Sequence, residues 1–324
     1  MAPHHRIARG ATPTISRGLI FDPVTPEDLQ PYVPEDFDEF WETAREEADT
    51  SPLDYHRSRH NVFDLPGFVV ETIDFRSIGG STLHGWIAIP ERLNRMAPSF
   101  LWLPAYGKES HLPNEYSTRE DMVSMSFNFH GNDAFHQEDY SPLRGYFAEG
   151  VEDPETWVFR EMLQNALIAV RVLRAQVEAD ASRLSVAGMS QGGGMAIWTG
   201  ATSSAVKAVV ADMPFLAGMR RTLHQPIHRY PLKELADFAH RIPLGIERVL
   251  YTVSYYDTVN HATRLHKPAL VSYGARDPAS RPEHVRAVYD AIPGPKKLLE
   301  YPGGHDWDTG MIEANRKFML EATT

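Results

Sequence analysis

Four short apolar runs in the second half of the chain alternate with segments patterned for helix. They are LSVAG from Leu184, VKAVVADMP from Val206, PALVSYG from Pro268 and KLLEYPG from Lys297. Runs of this length without polar alternation suit strands buried on both faces, as in a parallel sheet covered by helices on each side. MAIWTGA, PEHVRAVYDAI and MIEANRKFMLEA supply the helical segments. The alternation predicts an α/β fold with a mostly parallel central sheet flanked by helices and ligands at the carboxyl ends of its strands. In the first half, FVVETIDFRSIGGSTLHGWIAIP has period-two patterning broken at Gly79-Gly80, which predicts two antiparallel strands joined by a hairpin. SFLWLP and MVSMSFNF predict two more strands.

The 324 residues read as a single domain with an N-terminal extension over residues 1–60 and a cap-like helical insertion over residues 215–267. The insertion is much longer than an ordinary connection and is expected to overhang the ligand end of the sheet. PEDFDEFWETAREEAD sets Phe37, Phe40, Trp41 and Ala44 at helical spacing, predicting an amphipathic helix laid over a larger core. A role in substrate binding and a role in assembly are its other readings. A long helix is expected after DPETW, with Asp153 as its cap, Pro154 in its first position and an apolar stripe of Phe159, Leu163, Leu167, Val170, Leu173 and Val177.

The formal net charge of -11 argues against a nucleic-acid partner, since phosphate binding needs clustered Lys and Arg. With no cysteine, disulfides, thiolate metal sites and cysteine nucleophiles are excluded. The N-terminal stretch lacks the apolar run of a secretory signal, and no segment approaches the roughly 20 apolar residues of a membrane span, so the chain reads as cytoplasmic and not membrane-bound. His224 and His228 invite a metal reading, but Pro226 between them disfavours the helix that would align them, and no HExxH is present. Neither a metal nor a cofactor is expected.

GMSQG places Ser190 between Gly188 and Gly192, after one apolar run and before a helical segment. A GxSxG has force in this setting because a sharp strand-to-helix turn exposes the serine and aims the helix N-terminus at the reacting centre. A serine hydroxyl also needs a base and a group to orient that base. In this fold they follow in the order acid, then histidine, each after a strand. His305 stands after the last apolar run and Asp277 after the one before it, while Asp212, at the end of VVADMP, is a rival acid. A phosphate-binding glycine loop is the competing reading, but neither GxGxxG nor GxxxxGK[ST] fits.

The chain resembles the acetyl xylan esterases and cephalosporin C deacetylases of carbohydrate esterase family seven. The similarity runs from PEDFDEFWE through GWIAIP, GVEDPETWVFRE, GMSQGGGMA, MPFLAGMRR and YYDTVNHA to GPKKLLEYPGGHD. The resemblance implies an α/β-hydrolase that removes acetyl groups from short acetylated sugars and similar small esters. It puts the nucleophile at Ser190, the acid at Asp277 and the base at His305. It implies an oxyanion hole made of the backbone N–H groups of Gln191 and Tyr106, and an acyl-pocket role for Phe215, whose other reading is core packing. The expected partner is a small acetyl ester, and homo-oligomer formation is left open.

Departures from the family pattern fall near the site. PAYG keeps Tyr106 but has Pro104 and Ala105 where the family has His-Gly, and Asp306 follows the histidine where the family often has Glu. His130-Gly131-Asn132 replaces Arg-Gly-Gln, so a smaller group, expected to make structural hydrogen bonds, stands in for a guanidinium. The stretch from Asn132 to Gly150 is shorter than the family's projecting loop, which helps build its ring-shaped oligomer. A pocket narrowed by Tyr106, Phe215 and the insertion is expected to favour acetyl over longer acyl groups. Two other functions remain open: a hydrolase of this fold acting on a peptide, lactone or amide, and a ligand-binding relative without turnover.

Overall fold

A computed structural model describes residues 31–59, 63–93, 95–139, 145–227 and 229–324. The strands β1 (Tyr55–Arg59), β2 (Phe68–Arg76), β3 (Thr82–Pro90), β4 (Ala97–Leu103), β5 (Val123–Phe127), β6 (Ala179–Met189), β7 (Ala208–Asp212), β8 (Ala269–Gly274) and β9 (Lys296–Tyr301) form one sheet. Its order is β1-β2-β3-β5-β4-β6-β7-β8-β9. The pairs β1–β2, β2–β3 and β3–β5 are antiparallel. From β5 to β9 every pair is parallel. The mostly parallel sheet expected from the alternating runs is present, in the α/β-hydrolase architecture that the resemblance implied.

The helices are α1 (Phe37–Thr50), α2 (Val158–Arg174), α3 (Gln191–Thr202), α4 (Met219–Leu223), α5 (Leu232–Ala239), α6 (Gly245–Tyr256), α7 (Thr258–Ala262), α8 (Pro282–Ala291) and α9 (Gly310–Ala322). They cover both faces of the sheet, which explains the wholly apolar strand runs. Leu101, Val186, Val209 and Val271 join the large core beneath α2, α3 and α8. Their neighbours Phe100, Ala187, Val210 and Leu270 point the other way and pack with Met311 and Met319 of α9. Successive residues of one strand therefore serve opposite layers.

The order reverses around β4, which pairs with β5 on one side and β6 on the other. The chain leaves β4, runs to β5 and returns across the sheet to β6. A crevice opens at the carboxyl ends of strands where such a reversal occurs. The loop after β4 carries Tyr106, and the turn after β6 carries Ser190.

The segment from residue 215 to 267 divides into two parts. Its first part, through α4 and α5, walls a chamber beside the carboxyl edge. Its second part is core: Tyr255, Tyr256 and His261 are buried against Phe37, Phe40 and Trp41 of α1. Trp41 Nε1 donates to the Tyr255 carbonyl at 2.8 Å, fixing α1 to this layer. Residues 1–30 and 60 of the expected N-terminal extension, residues 140–144 of the 132–150 loop, and His228 all lie outside the described residues.

Two local expectations are corrected. The helix after DPETW begins at Val158, and Asp153 does not cap it. Residues 153–157 instead form a turn in which Asp153 Oδ1 accepts from the Glu155 N–H and the Pro154 carbonyl accepts from the Tyr256 hydroxyl. The apolar stripe holds from Phe159 to Leu173, but Val177 lies past the helix end and is 80% exposed. No helix among the described residues is long and apolar enough to cross a membrane.

Burial of histidine makes stability depend on pH. Desolvation lowers His261 to about 3 and His111 to about 4, and it also lowers His284. An imidazole with its folded pKa below the unfolded value of 6.5 contributes stability that is complete above pH 6.5 and lost as pH falls from there towards 4. The denaturation midpoint is therefore expected to drop between pH 6.5 and 5, before most carboxylates titrate, with net proton uptake on unfolding. A midpoint that stays level from pH 7 to 5 contradicts this.

Candidate active site

The turn between β6 and α3 sets Ser190 at φ 58°, ψ −119°, an unusual backbone geometry for a residue with a Cβ. Three backbone hydrogen bonds hold it there. Its N–H donates to the Asp212 carbonyl at 2.9 Å, and its carbonyl accepts from the Gly194 and Phe215 N–H groups at 3.0 Å each. The flanking glycines follow from crowding: a Cβ on Gly188 would lie 2.5 Å from the Gly192 backbone, and one on Gly192 would lie 2.0 Å from the Leu103 carbonyl oxygen. The end of β4 is thus pressed against the start of α3.

Loops after the last two strands bring up the partners. The Ala275 N–H bonds to the Tyr301 carbonyl and the Arg276 N–H to the Gly303 carbonyl, so the two loops are laced together. His305 Nδ1 lies 2.7 Å from Asp277 Oδ2, and its Nε2 lies 2.8 Å from Ser190 Oγ. A carboxylate can only accept, so Nδ1 carries the hydrogen and Nε2 of the neutral ring accepts from the serine hydroxyl. The Asp277 side chain is fully buried, whereas that of His305 is 25% exposed. Asp277 Oδ1 accepts from the Ala279 and Ser280 N–H groups, which fixes the carboxylate plane.

The rival acid faces elsewhere. Asp212 is buried, and its carboxylate accepts from Ser272 Oγ and from Asn315 Nδ2 of α9. Desolvation raises its pKa, opposed by those two hydrogen bonds.

The expected oxyanion donors lie across the β4–β6 crevice from each other. Gln191 opens α3, where the first N–H groups have no acceptor within the helix. Tyr106 follows β4, and its hydroxyl donates to Glu234 Oε1 of α5 at 2.8 Å. Glu234 Oε2 accepts from the Phe147 N–H at 3.0 Å, so one carboxylate ties the insertion to both neighbouring loops. Sequence reasoning missed Glu234, and it also missed Tyr146. The buried Tyr146 hydroxyl donates to Gln191 Oε1 at 2.9 Å and accepts from the Gly107 N–H at 3.3 Å. A single phenol therefore spans the two segments that carry the donors. Burial pushes its pKa up, keeping it a neutral donor.

His130 packs against this tyrosine with its ring tilted, at a centroid distance of 4.1 Å. Desolvation first, then Lys108, lowers its pKa to about 4, opposed by Glu138 and a hydrogen bond with the Gly107 backbone. It is thus a neutral support for the loop after β4 and carries none of the charge of the arginine found in the resembling family. Tyr146→Phe is expected to lower kcat roughly tenfold to a hundredfold with KM little changed, because donor spacing matters most when charge develops on the oxyanion. A higher KM with unchanged kcat contradicts this positioning role.

The chamber beside His305 has a volume of about 660 Å³. Phe215 lines it and is also packed edge-on against Phe147. Tyr106, expected to narrow the pocket, does not line this chamber, its side chain being turned to Glu234. The insertion walls the chamber without filling it.

The sheet and the carboxyl-edge site define a hydrolase of the α/β class. Residues 27–322 match the family model described as acetyl xylan esterase (AXE1), and the chain belongs to that family. It is a carboxylic ester hydrolase. The chain is 24% identical over 309 residues to acetyl esterase Axe7A of Xylanibacter ruminicola, covering 91% of this chain and 69% of that protein. Among solved structures it is similar to the acetyl xylan esterase of Paenibacillus sp. R4, with a TM-score of 0.81 and 24% identity over 92% of this chain and 98% of that one. It is also similar to acetyl xylan esterase 1 of Thermoanaerobacterium sp. JW/SL YS485, with a TM-score of 0.78 and 23% identity over 94% of this chain and all of that one.

Proposed function

We propose that this chain is a serine esterase that removes acetyl groups from small acetylated sugars or similar short-chain esters through an acyl-enzyme. The observation that carries the reading is the continuous relay from Asp277 through His305 to Ser190, with contacts of 2.7 and 2.8 Å. Ser190 Oγ attacks the ester carbonyl as His305 Nε2 takes its proton, and Asp277 stabilises the imidazolium that results. The tetrahedral oxyanion accepts from the Gln191 and Tyr106 N–H groups, which bind it more strongly than the flat ester. Collapse expels the alcohol, protonated by His305. Water, deprotonated by the same ring, then attacks the acyl-enzyme and releases acetate.

Family membership supports acetyl as the acyl group. The test is a panel of acetylated xylo-oligosaccharides, acetylated monosaccharides, nitrophenyl esters of acetate and octanoate, and the matching anilides. Faster turnover of the acetates is expected throughout. Faster cleavage of the octanoate removes the acetyl assignment, and faster cleavage of the anilides moves the enzyme to amides.

A further inference from the structure

We propose that the chamber beside His305 receives the alcohol half of the ester and that this alcohol carries a negative charge; this presupposes ester hydrolysis at Ser190. A two-carbon acyl group fills little of about 660 Å³, a volume in the range of pockets that enclose whole small ligands. The remaining space falls to the leaving group.

The wall is unusual for a chain of net charge -11, because no Asp or Glu among the described residues lines it. The charged side chains that do are Arg229 and Arg281, and neither has an acidic partner among the described residues. The nearby carboxylates of Asp277 and Glu234 are engaged, the first by His305 and the second by Tyr106 and the Phe147 N–H. Glu283, in the first turn of α8, is not part of the wall.

A second feature points the same way. The N-terminal end of α8 meets the chamber through Ser280, Arg281 and His284. Its N-cap is Arg281, whose side chain has no acceptor atom and makes no capping hydrogen bond. The positive end of the helix dipole faces the chamber from there, offset in part by Glu283 in the first turn. Ser280, only 3% exposed, belongs to this wall, and its Oγ has no hydrogen-bond partner. The start of α8, the buried Ser280 hydroxyl behind it and two exposed arginines beside Phe215, Met219, Ile227 and Leu232 give the chamber a positive rim suited to an anion.

A carboxylate and a phosphate share this chemistry, and substrates distinguish them. Glucose, glucuronic acid and glucose 6-phosphate, each acetylated at the same hydroxyl, are compared by kcat/KM at low and high salt. At least one charged ester is expected to exceed the neutral one by about tenfold or more at low salt, with the advantage shrinking as the Debye length contracts. Whichever anion gains more identifies the group. In the Arg229→Gln/Arg281→Gln double variant the charged-to-neutral ratio falls towards one, and Arg281→Lys retains part of it. A ratio near one in the wild type, or one unchanged in the double variant, overturns the inference while leaving the esterase intact. Failure to hydrolyse any of the three, or nitrophenyl acetate, strikes the esterase reading instead.

Discussion

Ser190→Ala lowers kcat for nitrophenyl acetate by a factor on the order of 10⁵ to 10⁶, while the melting temperature moves little. The size follows from the loss of the covalent route: without Oγ, the histidine and oxyanion donors can act only on a bound water, at a fraction of the rate. The small thermal effect follows from the backbone. The turn is held by the Asp212, Gly194 and Phe215 contacts, which are all main-chain and survive the substitution. Ala also meets the same strain at φ 58° as Ser, so the difference largely cancels. Residual activity within tenfold of wild type removes Ser190 from the mechanism.

Asp277→Asn is expected to lower kcat by about 10⁴ with little change in KM. An amide nitrogen placed against Nδ1 selects the tautomer that carries its hydrogen on Nε2, where it cannot take the serine proton. It also withdraws the charge that stabilises the imidazolium. The control is Asp212→Asn, whose carboxylate bonds to Ser272 and Asn315 on the face under α9. That variant is expected to lose stability and keep kcat within about tenfold, since its contact with Ser190 runs through a backbone carbonyl. If the two variants exchange these effects, Asp212 is the acid.

The choice between these acids shows where sequence reading stops. Both stand at the end of an apolar run, and chain order alone ranks them. The deciding fact is direction. Asp212 lies two residues after Val210 on β7 and shares its face, towards α9, whereas Asp277 lies three residues beyond β8 on a loop that reaches His305. Strands, helices and the Ser190 turn were legible because burial on two faces and a sharp turn both leave local patterns. Tyr146 and Glu234 left none. Their contacts with Gln191 and Tyr106 span 45 and 128 positions and are set by how loops meet over the sheet. The placing of Tyr106 in the pocket wall was misjudged for the same reason, because its side chain turns to Glu234. At α2, a genuine turn signal in Asp153-Pro154 was read as a helix start, although the helix begins only at Val158.

Covalent labelling with a fluorophosphonate, followed by peptide mapping and activity measurement on the same samples, tests the central claim most directly. One label per chain on Ser190, with hydrolysis lost in proportion and no labelling in His305→Ala, is the predicted result. Ser190 left unmodified while activity is lost, or fully modified with hydrolysis undiminished, contradicts it.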